Sequence, residues 1–140
     1  MGPLLHYDLT RCWAGEEGLG EIAEEVAWAD YRYDYDFPGR LFFFAHLHLG
    51  PIAALLARWR LARAIRRRSP KLLGRALHGI QDWHSHGYAG EKHWQYRLGL
   101  LDRHPDDWDE APAAVKERIE ADTRRYLRMY AEATAGTRPG

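Results

Sequence analysis

Cysteine is nearly missing from this 140-residue chain: Cys12 stands alone. A disulfide within the chain is therefore excluded, and so is a zinc site built from cysteine thiolates. Cys12 itself is expected as a buried thiol. Long apolar runs are also missing, and no stretch approaches the ~20 residues that a membrane span needs. Met1 to Leu5 is too short for a signal peptide, so the expected setting is the cytoplasm, or export as part of a larger or processed precursor. An excess of one charge is missing too. Twenty Lys and Arg balance twenty Asp and Glu, which gives no overall bias toward nucleic acid or an anionic membrane. Strand signals are almost absent, and neither an internal repeat nor a long linker divides the chain.

What is present is a helical pattern rich in histidine and aromatics, with eight His, six Trp and eight Tyr. The hydrophobic share of 46% and charged share of 29% suit a globular domain. Helices are expected over 4–13 and 16–31, with Gly15, Gly18 and Gly20 blurring the boundary. Further helices are expected from Pro51 to about Arg68, from Pro70 to about His86, over 91–101, and from Pro112 to about Ala133. Ser69-Pro70 is a strong restart signal, with Ser as N-cap and Pro at the first helical position. Residues 31–50 read as an ordered loop, and 103–111 as a polar turn. The expected fold is all-α: a compact bundle of about five to six helices around a His/Asp metal site. It occupies 1–135 as one domain, with 136–140 as a flexible tail.

Chemistry concentrates in 76–86. His78, Asp82 and His86 are spaced i, i+4, i+8, and such residues drift only about 80° around a helix. One stripe thus offers imidazole nitrogen and carboxylate oxygen together, the mixture a borderline divalent cation takes. Leu73, Leu77 and Ile80 fill a separate arc, so the helix is expected to be buried on both sides. Ionisable groups on a buried face are costly unless paired or bound to a metal. His84 projects with the apolar arc and is expected to pack. One helix cannot close a site. His6, His46, His48, His93 and His104, together with Asp34 and Asp36, lie at element ends where they could join it.

The stretch Leu77-His78-Gly79-Ile80-Gln81-Asp82-Trp83-His84-Ser85-His86-Gly87 resembles the LHxxQDxxSHxG signature of a bacterial family. That family looks like a compact version of the zinc-dependent phospholipase C and single-strand nuclease fold. His6-Tyr7 with Thr10 is similar to the family's opening helix. Ala29 to Asp34 looks like the stretch that ends in a ligand aspartate, and His46-Leu47-His48 falls where the next ligand histidine is expected. The resemblance implies an all-helical fold with two or three zinc ions. Asp34, His46 or His48, His78 and Asp82 would hold one ion. Asp82 would bridge to a second held with His6, and His86 and His93 would serve a third. The five residues before His6 depart from the family, in which a free N-terminal amine is a ligand.

The expected activity is hydrolysis of a phosphoester, in nucleic acid or a phospholipid. Asp34 and Asp82 are the expected catalytic carboxylates, with Asp36 as an alternative base. Zinc lowers the pKa of bound water from about 16 to about 7. Tyr33, Trp83 and Tyr88 are expected to line the substrate pocket. Arg58, Arg60, Arg63, Arg66, Arg67, Arg68 and Lys71 form a basic run read mainly as a solvated face, with attraction of phosphate as its functional alternative. Two other functions fit the same residues. One is a di-iron-type site that activates oxygen, and the other is a non-catalytic interaction domain stabilised by metal.

Overall fold

A computed structural model describes residues 3–33, 35, 51–86 and 93–136, with Pro51 and His93 described by backbone alone. The chain opens with a π-helical segment, Leu4–Leu9, that runs straight into α1, Thr10–Ala14. A second π segment, Gly15–Leu19, and a 3₁₀ turn, Gly20–Ile22, lead into α2, Ala23–Tyr31. The long helices are α3, Pro51–Arg67; α4, Pro70–Ser85; and α6, Ala113–Ala135, with the short α5, His93–Arg97, between the last two. Among the described residues there is no strand, and no helix is long and apolar enough to cross a membrane.

The helix expected over 4–13 is helical throughout, π and then α, while the one expected over 16–31 is broken before α2. The helical course kinks at Gly18, whose φ of +84° is strained for any residue with a Cβ. Of the helix expected over 91–101, the described part is helical over His93–Arg97, with Gly99 at φ +71° beyond its C-terminal end.

α4 is the central element and packs against α2, α3 and α6. Its start is set as the sequence predicts: Ser69 Oγ accepts from the Leu72 N–H at 3.3 Å, and Pro70 fills the first position. Leu73, Ala76, Leu77 and Ile80 lie in the core, and Gly74, His78, Gln81, Asp82, His84 and Ser85 are buried as well. A helix buried around so much of its girth must carry its polar groups inside the protein. α3 presents the small stripe Ala53, Ala57, Leu61 and Ala64, which lets its axis come close to α4. α6 contributes Ile119, Tyr126, Leu127 and Tyr130.

The α2–α4 contact is closer still. A Cβ built on Gly74 would stand 2.3 Å from the Val26 carbonyl oxygen and 2.8 Å from Asp30 N. Only glycine fits there. One turn later on α4, the same close approach brings His78 against the end of α2.

Cys12 corrects its expectation. It is exposed, and its thiol donates to Glu16 Oε1 at 3.3 Å. The buried side of the opening helices is taken by Leu5, His6, Thr10, Trp13 and Ala14, which leaves Cys12 facing out. His84 packs as expected, with its Nε2 on Asp122 Oδ2 at 2.7 Å.

Candidate metal centre

Three side chains from distant parts of the chain converge in the core. His6 comes from the opening segment, and His78 and Asp82 from successive turns of α4. Each is at most 3% exposed. One potential ligand atom from each lies within 4.8 Å of the other two. The imidazoles of His6 and His78 stack, with centroids 4.3 Å apart and planes 23° apart. His6 Nε2 is 3.5 Å from Asp82 Oδ1, and His78 Nε2 is 3.1 Å from Asp82 Oδ2.

The far side of each ring is held by acceptors. His78 Nδ1 lies 2.8 Å from the Asp30 carbonyl oxygen and 3.2 Å from Asp30 Oδ1. A carbonyl can only accept, so Nδ1 carries the proton. His6 Nδ1 lies 2.9 Å from Asp30 Oδ1 and 2.8 Å from Gln81 Oε1, and again both are acceptors. The amide of Gln81 is oriented in turn, since its Nε2 donates to Thr10 Oγ1 at 3.0 Å and Thr123 Oγ1 at 3.3 Å. Thr10 donates to Asp30 Oδ2 at 2.9 Å. Asp30, Thr10, Gln81 and Thr123 thus form a buried layer behind the two histidines.

This layer decides the tautomer. With Nδ1 protonated, a neutral imidazole presents a lone pair at Nε2. Here two such lone pairs face one carboxylate, which is repulsive unless positive charge stands between them. Either a second proton on each ring or a cation can supply it.

Protons alone give an incomplete solution, because two imidazolium rings stacked at this distance repel each other. The opposing influences on each group follow from this conflict. Burial pulls the His6 imidazole down and the His78 charge adds to that, yet Asp30 and the hydrogen bonds to Asp30 and Asp82 outweigh both, so its pKa rises above 6.5. Burial pushes Asp82 up, but the neighbouring His78, His6 and His86 imidazoles hold it well below the usual carboxylate range. Asp82 Oδ1 is out of contact with solvent and receives no hydrogen bond.

The donor set fits a divalent ion. For zinc bonds of about 2.0–2.2 Å in tetrahedral geometry, neighbouring ligand atoms stand roughly 3.3 Å apart. Each Nε2 stands close to that spacing from its own oxygen of Asp82, His6 at 3.5 Å from Oδ1 and His78 at 3.1 Å from Oδ2, and one ligand atom of each residue lies within 4.8 Å of the others. Imidazoles whose Nδ1–H is held by a carboxylate or carbonyl are the usual form of histidine ligands.

Other expected residues fall in three groups. His86 lies beside the cluster but outside the trio, with Nε2 3.8 Å from Asp82 Oδ1 and 2.9 Å from Asp106 Oδ1. Burial pushes Asp106 up, but the hydrogen bond to His86 leads the influences that hold it far below its ordinary value. Tyr33 is buried and lays its ring 4.9 Å from that of His78, while Trp83 is partly buried against the core. Asp34, Asp36, His46, His48 and Tyr88 lie outside the described residues, as does the side chain of His93.

Sequence reasoning missed Asp30, the residue that orients both histidines. Its signal was there: Ala23, Val26, Ala27 and Asp30 are spaced i, i+3, i+4, i+7, so an acid completes the buried stripe of α2. Gln81 and Thr10 stand in the sequence only as parts of the motifs, with no local signal of their role. Compared with family models, with curated proteins and with solved structures, the chain matches none.

Proposed function

We propose that this chain is a metal-dependent hydrolase of phosphoesters that holds zinc through His6, His78 and Asp82. The observation that carries the reading is the aim of two Nε2 atoms at Asp82 while Asp30 and Gln81 hold both Nδ1 atoms. Imidazole with carboxylate is a donor set suited to zinc. The nearness of His86 to Asp82 supports a second ion that shares the Asp82 carboxylate. The resemblance of 77–87 to the phospholipase C and nuclease-like signature is what points to phosphoesters.

At such a site a bound divalent ion supplies Lewis-acid polarisation of a phosphoryl oxygen and activation of water at neutral pH. The chain's own residues set the conditions for it. Asp30 fixes the histidine tautomers, and the Thr10–Gln81–Thr123 layer keeps Asp30 and His6 in place. Tyr33 walls one side of His78 and, with Trp83 and Tyr88, forms our proposed substrate-binding set. Asp34 is the proposed general base, alongside Asp82 as ligand.

Metal content by mass spectrometry, on wild type and on His78→Ala and Asp82→Ala, tests the reading together with hydrolysis of a chromogenic phosphodiester. We expect at least one zinc per chain, lost in both variants along with the activity. Iron with visible absorption would favour the oxygen-activating alternative instead, and a protein that binds no divalent metal would end the proposal. The burial of all three ligands favours a second reading, a closed structural site in an interaction domain. That reading requires the fold, and not a hydrolytic activity, to be lost when zinc is removed.

A further inference from the structure

Arg60 of α3 packs on Tyr33, the ring that in turn packs on His78. Its guanidinium carbon lies 4.9 Å from the Tyr33 ring centroid, and that ring lies 4.9 Å from the His78 ring. One terminal nitrogen, Nη2, donates to the Tyr33 hydroxyl. The other, Nη1, is out of contact with solvent and has no acceptor. Among the described residues no carboxylate pairs with Arg60. Its charged neighbour is a second arginine, Arg75, half-buried one turn before His78 on α4 and near enough to repel it.

A half-buried guanidinium pays for its desolvation through a carboxylate partner in most proteins. Here the aromatic face of Tyr33 offsets only part of that cost. A fixed fork of donors, an idle buried N–H and a like-charged neighbour together describe a receptor for an anion. The fork matches the oxygen spacing of phosphate. The receptor adjoins the ring that packs on His78, so one shared side chain, Tyr33, links it to the cluster.

We propose that Arg60, held on Tyr33, forms an oxyanion site for a phosphate group of the substrate, joined through Tyr33 to the His6–His78–Asp82 cluster, with Arg75 of α4 adding positive charge. The inference rests on the phosphoesterase reading and adds the group that recognises the ester's charge. The basic run of α3 thus divides: Arg60 faces the site, while residues such as Arg58 and Arg66 face solvent.

The test is titration of inorganic phosphate into the zinc-loaded full chain, followed by calorimetry and melting temperature, for wild type, R60M, R60K and R75M. We expect wild type to bind phosphate and R60M to bind it at least about tenfold more weakly, the loss of a charge-assisted hydrogen bond. R60K, which keeps the charge without the fork, falls between them, and R75M weakens binding less than R60M. Zinc content stays at the wild-type level throughout. Without phosphate, R60M melts no lower than wild type, because an unpaired half-buried charge has been removed. A merely structural arginine, there to hold Tyr33, gives the opposite pattern: a lowered melting temperature and unchanged phosphate affinity. That pattern overturns the proposal. Should R60M fail to fold, wild-type phosphate affinity in both R60K and R75M overturns it equally. Full zinc content with phosphate binding indifferent to Arg60 removes the anion site and leaves the metal reading intact. Arg60-dependent phosphate binding in a protein that takes no zinc does the reverse.

Discussion

On one side of α4, His78 is held through Nδ1 by Asp30 and turns Nε2 on Asp82 at 3.1 Å. On another side, His84 meets Asp122 through Nε2 at 2.7 Å. Both are histidine–aspartate pairs across a buried or partly buried contact, and the shorter of the two is the one outside the cluster. The difference lies in what surrounds each pair. No acceptor holds the Nδ1 of His84, and its aspartate is shared with Arg125 at 2.8 Å, so positive charge is already supplied there. At Asp82 the near neighbours are imidazoles, two of them oriented to present lone pairs. A His–Asp contact alone therefore says little. An acceptor behind the imidazole, and a carboxylate shared between two of them, are what make a cation site.

The sharpest way to break this comparison is to remove the shared carboxylate. Asp82→Ala should abolish metal retention, while His84→Ala should leave it at the wild-type level, both read by mass spectrometry after dialysis. Equal loss in the two variants would mean that the faces are equivalent and that the geometric distinction has no chemical content.

Gly74→Ala attacks the same site from a distance. The added Cβ meets backbone, the Val26 carbonyl at 2.3 Å, so α2 and α4 must move apart. Overpacking of this kind costs about 1–3 kcal/mol, to be read by denaturant unfolding. The movement draws Asp30 away from His78, so metal affinity should fall with stability. A variant as stable as wild type would show that α2 is not held against α4 at this point.

Asp30→Asn probes the acceptor layer more gently. The shape is kept, but the charge that favours an Nδ1–H tautomer is lost. Orienting partners of metal ligands are worth about 10- to 100-fold in affinity. We expect a loss in that range in competition with a chelator, and unchanged zinc affinity would remove Asp30 from the site.

These variants also mark how far the sequence could be read. The all-α class and the course of α4 follow from local rules, since Ser69-Pro70 starts the helix and its apolar and His/Asp arcs are both buried. His78 and Asp82 were legible because one helical turn fixes their relation. The pairing of His6 with His78 depends on the opening segment and α4 both packing on α2, and no local pattern states which helices meet. Asp30 was hidden for the same reason. An acid in a buried stripe announces a partner without naming it. Cys12 failed differently: composition favours burial of a lone thiol, but at this position the turn of α1 sends the side chain outward.

The smallest expected effect is the one that sharpens the comparison most. His84→Ala removes one partner of Asp122 but leaves Arg125, so the carboxylate is not orphaned. Asp122 is also partly exposed, and water can take the place of the imidazole. The loss should therefore be about 1 kcal/mol, the ordinary net worth of a hydrogen bond, with little added for the space left behind. His78→Ala offers the contrast within the same helix. In metal-free protein it leaves the Asp30 carbonyl without its imidazole donor and Asp82 with one fewer positive neighbour, both in the core. Denaturant unfolding of the two variants without metal should thus show the larger cost at His78. Adding zinc should then stabilise His84→Ala as it does wild type, and leave His78→Ala where it was. If zinc raised both variants alike, the ligands would have to be sought elsewhere in the chain.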